Sequence, residues 1–451
     1  MTAPATGPDA TAPGTRVVDP ADEVVDLCRE LIRIDTTNTG DADTTVGERA
    51  AAEWVAERLA EAGLTAELRE SVPGRTSVVA RVTGTDPTRP ALLVHGHLDV
   101  VPADRSEWSV DPFAGEVRDG YVWGRGAVDV KDFDAMVLAV VRHWHRTGYR
   151  PPRDIVLAFT ADEEAGSTLG ARYLVEHHAD LLEGCTEAVG EVGGYSWQPD
   201  PASDLRVYPI QIAEKGIDWL RLHATGRPGH GSMLHDDNAV TALAEAVARI
   251  GRHRFLVELT PAVRALFASL ADLLGTDPEP DDPDAVVARL GPLARMVGAS
   301  LRHTANPTRL AAGYKDNVIP GSASATVDCR SLPGRAERLL ARVRELAGPD
   351  VEVTYLQRQP AVETSFDGPL VDAMVAALRA EDPGARAVPY LFSGGTDAKS
   401  FATLGIRCFG FTPLRLPPDL DFPALFHGID ERVPVEGLQF GVRVLDRFLR
   451  T

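Results

Sequence analysis

The N-terminal half of the sequence alternates between two hydrophobic patterns. Residues 22–34 and 43–63 carry apolar side chains at helical spacing, and the second stretch ends on Gly63, a common helix stop. Short apolar runs follow at residues 77–82 and 91–94, of the kind found in strands buried within a sheet. The alternation continues with predicted helices at residues 134–148 and 167–177 and predicted strands at residues 154–160 and 187–190. This order predicts an α/β fold with a mostly parallel central sheet and helices on both faces.

A different pattern begins near Lys215. From there to about residue 360, the predicted elements follow the order β-α-β-β-α-β, which is typical of a ferredoxin-like α+β domain. They are a strand at 216–225, a helix at 238–254, strands at 309–314 and 322–329, a helix at 335–347 and a strand at 351–357. The α/β pattern then resumes with helices at 369–380 and 435–449 and a strand at 406–412.

These patterns divide the chain into four parts. Residues 1–18, which are rich in Pro, Ala, Thr and Gly, are predicted to form a disordered arm. Residues 19–214 and 361–451 are predicted to form one discontinuous domain, and residues 215–360 are predicted to form a second domain inserted into it. The inserted part contains a further, mostly helical insertion at residues 258–306. We expect the inserted domain to close over a ligand as a lid.

The overall charge limits the classes of partner. Among 451 residues, 66 are Asp or Glu and 46 are Lys or Arg, which gives a formal net charge of −20. Nucleic acids and anionic membranes bind basic surfaces, so we expect neither as a partner. The longest apolar stretches, such as residues 135–141, are far shorter than the roughly 18 residues that span a bilayer.

Cysteine usage and the first residues favour a cytoplasmic location. Cys28, Cys185, Cys329 and Cys408 are far apart and form no CxxC pair. A disulfide framework is not expected at this chain length, and a reducing compartment fits better. The N-terminus lacks the basic start and the apolar run of a secretory signal.

Polar side chains follow several predicted strands at their carboxyl ends, where open α/β sheets bind ligands. In an extended backbone His97 and Asp99 lie on one face, and His95 shares that face, so spacing does not choose between the two histidines. A carboxylate near a histidine can orient its imidazole as a metal ligand, but such a pair can also be two hydrogen-bonded loop residues. The other stretches of this kind contain Asp129, the run Asp162-Glu163-Glu164, Glu191 and His427.

The acidic run has two interpretations. Three adjacent acids after an apolar strand are costly without a nearby cation, but acids are also favoured at a helix N-terminus. Taken together, two histidines and three or four carboxylates at separate strand ends suit Zn²⁺, Mn²⁺ or Co²⁺. Five ligands and a water exceed the needs of one tetrahedral zinc, and they suit two ions about 3.5–4 Å apart that share a carboxylate.

Five strings in order along the chain carry a family resemblance. They are HGHLDVVP, GRGAVDVKD, TADEEAG, GEVGG and FHGIDERV. Together they resemble the dizinc metallohydrolases related to aminoacylase, glutamate carboxypeptidase and succinyl-diaminopimelate desuccinylase, and the resemblance covers residues 25–449. One departure is Asp132 after Lys131, where many members of the family have glycine.

The resemblance implies two Zn²⁺ per subunit, with Co²⁺ or Mn²⁺ as substitutes. It implies that His97 and Glu191 bind one ion and that Glu164 and His427 bind the other. Asp129 is then the carboxylate that bridges the two ions. The residues named here are those that match the family strings.

The resemblance also assigns roles around the ligands. It selects His97 over His95, and it places Asp99 behind His97 as a supporting acid. Glu163 is expected to be the general base. A cis peptide bond is expected after Asp129.

The second half of the chain contains further matching strings. The family's GHxS element matches His230, which is expected to stabilise the oxyanion, often in the partner subunit's active site. Asn317 and Arg330 match positions that hold a substrate carboxylate, a task that the Arg fork suits. Gly395 and Thr396 lie in a string that matches the loop that contacts the substrate backbone.

The resemblance therefore implies a metal-dependent hydrolase that cleaves a peptide or N-acyl amide next to a free carboxylate, using a metal-bridged hydroxide and a Glu base. Its substrate would be a small peptide or an N-acyl amino acid, with succinyl-diaminopimelate as the alternative within the same chemistry. A catalytically inactive binding protein on the same fold is the alternative of another class. A serine hydrolase would need a GxSxG elbow, which the sequence around Ser232 lacks. A homodimer through the inserted domain is also implied.

Overall fold

The computed structural model describes residues 18–199 and 204–451. The predicted arm lies outside the described residues apart from Val18. Elements are numbered here in chain order. The helices are α1 Pro20–Arg33, α2 Arg49–Glu61, α3 Lys131–Thr147, α4 Ala171–His177, α5 Ala239–Arg252, α6 Pro261–Leu274, α7 Pro283–Ala288, α8 Ala294–Ser300, α9 Ala336–Ala347, α10 Pro369–Glu381, α11 Ala398–Ala402 and α12 Val435–Leu449.

The strands of the first half alternate with these helices. They are β1 Ala66–Val72, β2 Arg75–Val82, β3 Ala91–His97, β4 Glu116–Arg118, β5 Tyr121–Trp123, β6 Ile155–Thr160, β7 Cys185–Gly190, β8 Arg206–Glu214 and β9 Gly216–Thr225. The remaining strands are β10 Gly229–His230, β11 Thr304–Ala312, β12 Val318–Ile319, β13 Ser322–Ser331, β14 Val351–Gln359, β15 Val362–Glu363, β16 Ala385–Phe392, β17 Arg407–Gly410 and β18 Arg432–Pro434.

A large sheet forms the centre of the molecule, in the order β1-β2-β6-β3-β7-β17-β8-β15, with β16 paired to β8. Its middle strands β6, β3, β7 and β17 are parallel, and so is the β8–β16 pair. The predicted α/β fold with a mostly parallel central sheet is confirmed. The antiparallel pairs lie toward the two ends of this sheet.

Helices cover both faces of the large sheet, as predicted. The fully buried strand β3 explains why, because its alternating side chains enter two different cores. Leu92 and Val94 pack in the core that contains α1, α3 and α12, whereas Leu93 packs on the other face with residues of α4 and α11. A strand buried on both faces reads as a continuous apolar run, which is what residues 91–94 show.

The second sheet is antiparallel and has the order β11-β13-β9-β14. With α5 and α9 packed on one face, it has its own hydrophobic core. The chain order β9-α5-β11-β13-α9-β14 confirms the predicted ferredoxin-like arrangement.

The helical insertion at residues 258–306 packs away from this second sheet. Leu266, Phe267 and Leu270 of α6 and Val297 of α8 belong to the core of the large sheet, where both helices lie against β16. By sequence the insertion lies inside the predicted 215–360 domain, but by packing it extends the larger unit. The predicted domain limits remain a prediction.

Four strands of the large sheet, β1, β8, β15 and β16, have no counterpart in the sequence-based prediction. Pro209 lies in β8 and Pro389 lies in β16, and proline inside an apolar run argues against a strand. In the structure β16 pairs with β8 alone and is therefore an edge strand, where proline is tolerated.

The chain crosses between the two sheets twice, and Lys399 joins the crossings. One crossing lies between β8 and β9 at Lys215, and the other lies between β14 and β15 at Pro360. Lys399 Nζ donates to the carbonyl oxygens of Lys215 at 2.5 Å and of Pro360 at 3.3 Å. The same ammonium lies 3.3 Å from Glu214, which is fully buried. This buried contact fixes the geometry of both connections.

Two further observations bear on the sequence-based expectations. Within the described ranges, no helix is both long and apolar enough to cross a bilayer. All four cysteines are free thiols, and Cys28 and Cys329 are buried.

Candidate metal centre

The candidate ligands converge at the carboxyl ends of neighbouring parallel strands. His97 is the last residue of β3, Glu164 follows β6 after a short connection, and Glu191 follows β7 directly. Asp129 precedes α3, and His427 precedes β18. Because β6, β3 and β7 are adjacent and parallel, their carboxyl ends meet at one edge of the sheet, where such sheets bind ligands.

Asp129 lies between the two histidines. Its Oδ1 is 3.1 Å from His97 Nε2, and its Oδ2 is 3.1 Å from His427 Nε2. His97 Nε2 is also 3.4 Å from Glu191, and His427 Nε2 is 3.1 Å from Glu164. Glu191 therefore lies beside His97 alone and Glu164 lies beside His427, whereas Asp129 contacts both histidines. The peptide bond between Asp129 and Val130 is cis, which confirms the predicted cis bond.

The donor atoms fit a pair of divalent cations. They fall into two overlapping groups, His97-Asp129-Glu164 and His97-Glu163-Glu191, each with its ligand atoms within 4.8 Å of one another. Both groups offer imidazole nitrogen and carboxylate oxygen and contain no cysteine, a set that suits Zn²⁺, Mn²⁺ or Co²⁺. Oε1 of Glu164 is buried and has no hydrogen-bond partner among the described residues, as expected of an atom reserved for a cation.

The electrostatics also favour a cation. Burial raises the pKa of Glu191 to about 7, although His97 acts in the opposite direction. Burial and then the charge of Asp129 raise the pKa of Glu164. Burial and then the charge of Glu191 raise the pKa of Glu163 well above its usual range. These carboxylates are therefore costly to ionise side by side, and a bound divalent ion would remove that cost.

Asp99 supports the site mainly through the backbone. Its carboxylate accepts the N–H groups of Glu163 and Glu164, both at 3.1 Å, and the side-chain amide of Asn38 at 2.8 Å. His97 Nδ1 lies 2.9 Å from the main-chain oxygen of Asp99 and 3.7 Å from its carboxylate. Asp99 thus holds the loop of Glu163 and Glu164 as well as the ring of His97.

His95, the other histidine of the first string, lies elsewhere. Its ring packs 4.9 Å from the ring of Phe401, on the face of the sheet that α11 covers. A Cβ added to Gly190 would come within 2.3 Å of this ring, so only glycine fits there. Burial lowers the pKa of His95 to about 3, which keeps the imidazole neutral.

A buried ion pair supports the acidic loop from behind. Arg75 forms bonds of 2.9 and 2.7 Å with Glu48, and it donates to Asp162 at 2.9 Å. Asp162 has a positive φ of 66°, an uncommon conformation for a non-glycine residue. Because Asp162 immediately precedes Glu163, this cluster fixes the start of the loop that carries the acids.

A second buried pair orients the segment before Asp129. Glu431 accepts from Arg125 at 2.6 Å and from the backbone N–H groups of Gly126 and Val128 at 3.0 and 2.7 Å. Glu431 lies four residues after His427, so this contact ties the histidine's segment to that of the bridging acid.

The centre opens into a cavity of about 370 Å³ between the two sheets. Its lining includes Asp129, Glu163, Glu164, Glu191 and His427. The inserted sheet contributes Arg330, whose guanidinium pairs with Asp328 at 2.7 and 3.1 Å. The guanidinium of Arg330 and four of the candidate ligands therefore line the same cavity.

The loop at residues 394–397 contributes its backbone to the cavity. Gly395 lines it, and a Cβ there would meet Lys399 at 2.4 Å and Ile217 at 2.9 Å. The side chain of Thr396 points elsewhere, because its hydroxyl donates to buried Glu214 at 2.5 Å. Asp397, which the sequence-based site omitted, is buried and accepts from Thr160, and burial raises its pKa to about 7.

His230 and Asn317 lie apart from this cavity. Both are exposed, and they sit next to each other on the ribbon in which β10 pairs with β12. The N–H of Ser232 lies 3.2 Å from His230 Nδ1, and the hydroxyl of Ser232 lies 2.8 Å from the same nitrogen. The protomer thus brings together the five candidate ligands, Glu163, Arg330 and Gly395, but not His230 or Asn317.

Several residues that shape the site carried no signal in the sequence. Asn38, Arg75 and Met296 lie far from the recognisable strings. Apolar residues that line the cavity, such as Met296 and Phe426, look like ordinary core positions in a sequence. Asp397 follows Gly395 and Thr396 directly, so a buried acid could have been inferred there.

Comparison with known proteins agrees with this geometry. The family model described as Peptidase family M20/M25/M40 matches residues 93–451. Aminoacylase-1 of Sus scrofa is 28% identical over 441 residues, which cover 94% of each chain. The M20 family metallo-carboxypeptidase Sso-CP2 of Sulfolobus solfataricus has a TM-score of 0.72 at 20% identity and covers 95% of this chain and 99% of its own. Human carnosine dipeptidase 1 has a TM-score of 0.68 at 17% identity and covers 95% and 96%. At these identities the two structures show the shared fold.

Proposed function

The chain belongs to peptidase family M20/M25/M40 and is a metallohydrolase that acts on amide bonds; from this premise, we propose that it uses two zinc ions to hydrolyse an amide next to a free carboxylate. The proposed substrates are N-acyl amino acids and small peptides. The observation that carries the proposal is one cavity lined by Arg330, by Glu163 and by members of both ligand groups, which meet at His97. The names of the relatives, an aminoacylase, a carboxypeptidase and a dipeptidase, agree with this substrate range.

The proposed ligands divide into two sets around Asp129. His97 and Glu191 would hold one ion, Glu164 and His427 would hold the other, and Asp129 would be the carboxylate that they share. Such ions supply Lewis-acid chemistry toward an amide carbonyl and lower the pKa of water. Co²⁺ or Mn²⁺ would fit the same nitrogen and oxygen donors.

Glu163 is proposed to move the protons. It lines the cavity beside the ligands, and burial raises its pKa well above the usual range. A carboxylate of raised pKa can take a proton from the attacking water and pass it to the leaving amine. Arg330 is proposed to hold the substrate carboxylate, which requires the guanidinium to exchange Asp328 for the substrate.

His230 is proposed to serve the active site of a second subunit. It is exposed on the inserted domain, outside the cavity of its own protomer. Strand β11 is an edge of the inserted sheet and carries the exposed side chain of Leu310, at 63% exposure. A homodimer through this domain would cover the strand and bring His230 and Asn317 toward the partner's site.

Replacement of the proposed base tests the function. The variant Glu163→Gln should lose turnover of N-acetyl amino acids and dipeptides by at least about 100-fold, the lower range for an acid–base group. Its metal content, measured by mass spectrometry, should remain two ions per subunit. The matched control is Glu116→Gln, at an exposed position outside the site, which should keep full activity.

The outcomes separate the alternatives. Full activity of Glu163→Gln would reject the role of the base. Turnover of succinyl-diaminopimelate alone would assign the chain to the desuccinylase type. An intact dimetal protein that binds but never cleaves any of these amides would favour an inactive binding protein. Light scattering of the wild type tests the dimer.

A further inference from the structure

Lys399 lies where residues 394–397, which we call the substrate loop, meet the two crossings between the sheets. It is the second residue of α11, directly after that loop, and its side chain is buried. A lysine ammonium has three donor hydrogens and no acceptor. Three acceptors surround this one: the main-chain oxygens of Lys215 at 2.5 Å and Pro360 at 3.3 Å, and the carboxylate of Glu214 at 3.3 Å. Every donor of Lys399 therefore has an acceptor within the protein, so the residue acts on the chain around it.

The two crossings lie side by side at this point. A Cβ added to Gly216, the first residue of β9, would lie 3.2 Å from both the nitrogen of Ala361 and the oxygen of Gln359. Because a lysine ammonium is a compact point charge with donors in three directions, one side chain can bond to both segments. Lys399 therefore holds both connections of the inserted sheet at a single point of the larger unit.

Glu214 joins the same ammonium to the substrate loop. Its fully buried carboxylate accepts from the N–H of Thr396 at 3.0 Å and from the hydroxyl of Thr396 at 2.5 Å. A Cβ on Gly395 would meet Cε of Lys399 at 2.4 Å and Cδ1 of Ile217 at 2.9 Å, so the loop packs closely on both. Buried polar networks whose members are paired are rigid. The substrate loop, Lys399 and the start of β9 therefore form one rigid group.

This rigid group is tied to the acidic loop of the metal centre at two places. Asp397, the last residue of the substrate loop, accepts from the hydroxyl of Thr160 at the end of β6. Gln359, beside the second crossing, donates to the main-chain oxygen of Gly166 at 2.9 Å. Thr160 and Gly166 lie on either side of Glu163 in the chain. The position of the crossings is therefore fixed relative to the proposed base and its neighbouring ligand.

The other end of the rigid group reaches Arg330. Ile217 follows Lys215 by two residues in the chain and pairs with Arg330 of β13 in the antiparallel sheet. Residues opposite each other in such a pair have Cβ atoms about 4.5–5.5 Å apart. A shift of the first crossing therefore moves Arg330 relative to the metal ligands.

We propose that Lys399 is a positioning residue that sets the distance between Arg330 and the metal centre. The inference rests on the proposed function, in which Arg330 holds the substrate carboxylate while the amide lies at the candidate ligands. When two contacts have a fixed spacing that matches the substrate, the second contact follows the first as an intramolecular event and strengthens binding. Lys399 supplies that fixed spacing without touching the substrate.

The test is a double-mutant cycle on Lys399 and Arg330. It measures KM and kcat for N-acetylalanine, or for alanylalanine if the wild type cleaves that substrate faster. Lys399→Met should raise KM by about 10-fold or more and leave kcat within about 3-fold, because binding is weakened while Glu163 and the ligands are kept. Arg330→Met should raise KM by at least as much. In the Arg330→Met background, Lys399→Met should raise KM by less than about 2-fold, because the anchor that it positions is already lost.

A second pair of substitutions separates positioning from folding. Lys399→Met leaves buried Glu214 without its cation, which lowers stability. Glu214→Gln combined with Lys399→Met removes both charges, and it should recover part of the lost melting temperature while KM stays raised. The cycle with Arg330→Met is repeated on this pair. Metal content should remain two ions per subunit in every variant, and Lys315→Met, at an exposed position, should keep the KM of the wild type.

The outcomes separate a positioning role from a merely structural one. The inference would be overturned by an unchanged KM in both Lys399 variants, or by an equal rise in KM with and without Arg330. A fall in kcat at unchanged KM, or loss of metal from the paired variant, would overturn it as well. A wild-type protein that holds two ions and cleaves no amide would instead reject the proposed function.

Discussion

Replacement of Lys215 by methionine should stabilise the protein at neutral pH. Lys215 lies at the first crossing between the two sheets and has no exposed surface. Its Nζ has no hydrogen-bond partner within the part of the chain that the structure describes. Burial, and after it the charges of Arg330 and Arg302, lower the pKa of Lys215 to about 7. The folded protein therefore holds this proton less tightly than the unfolded chain does.

The pKa difference sets the size and the sign of the effect. An unfolded lysine has a pKa of about 10.4, so between pH 7 and pH 10 the unfolded state binds more protons and the free energy of unfolding rises with pH. With a folded pKa of about 7, the linkage relation gives a gain of about 2 kcal/mol between pH 7 and pH 9. The stability is lost again as the pH falls toward 7.

Methionine is unbranched like lysine, is one atom shorter and carries no charge. The main-chain carbonyl of residue 215, which accepts from Lys399, is unchanged by the substitution. Lys215→Met should therefore raise the free energy of unfolding at pH 7 by up to about 4 kcal/mol and abolish the 2 kcal/mol gain.

The measurement is urea unfolding of metal-free protein at pH 7, 8 and 9, followed by circular dichroism. Metal-free protein is used because ligand protonation makes metal binding depend on pH. Lys315→Met, at an exposed position, is the matched control and should behave like the wild type. The reasoning would be refuted if Lys215→Met kept the pH slope of the wild type or proved less stable than it at pH 7.

Two further predictions concern the acids of the site. Arg75→Met should lower the free energy of unfolding by about 3–5 kcal/mol, because it leaves buried Glu48 without its cation. Urea unfolding checks this, with Arg75→Lys as a control that keeps the positive charge and should lose less. A loss below about 1 kcal/mol in Arg75→Met would contradict the prediction. Chelation should lower the melting temperature, and added Zn²⁺ should restore it in a concentration-dependent way, because ions that bind only the folded cluster stabilise it. Asp129→Asn should reduce the increase in melting temperature with Zn²⁺. A melting temperature that does not change with Zn²⁺ would argue against the site.

Local patterns in the sequence were enough for the fold class. Residues 91–94 form a continuous apolar run because β3 is buried on both faces, and the run can be recognised without any knowledge of its neighbours. The order β-α-β-β-α-β could likewise be read along the chain. Strand β16 was not predicted because its proline is acceptable only at the sheet edge that the tertiary structure gives it.

The candidate ligands could be named from the sequence because each lies at a strand end within a recognisable string. The sequence alone did not separate His95 from His97, since alternation places both on one face. The resemblance selected His97, and the structure places its ring beside Asp129 and Glu191 while the ring of His95 packs against Phe401.

The sequence by itself determined the fold class, the order of most elements along the chain and the candidate set of acids and histidines, because these depend on local periodicity and on short strings. Only the tertiary structure decided what surrounds them. The helical insertion joined the larger core and placed Met296 in the lining of the active-site cavity, and Lys215 Nζ was buried with no hydrogen-bond partner among the described residues. Such contacts join residues far apart in sequence, and they are set by how surfaces pack in space rather than by any pattern within one segment.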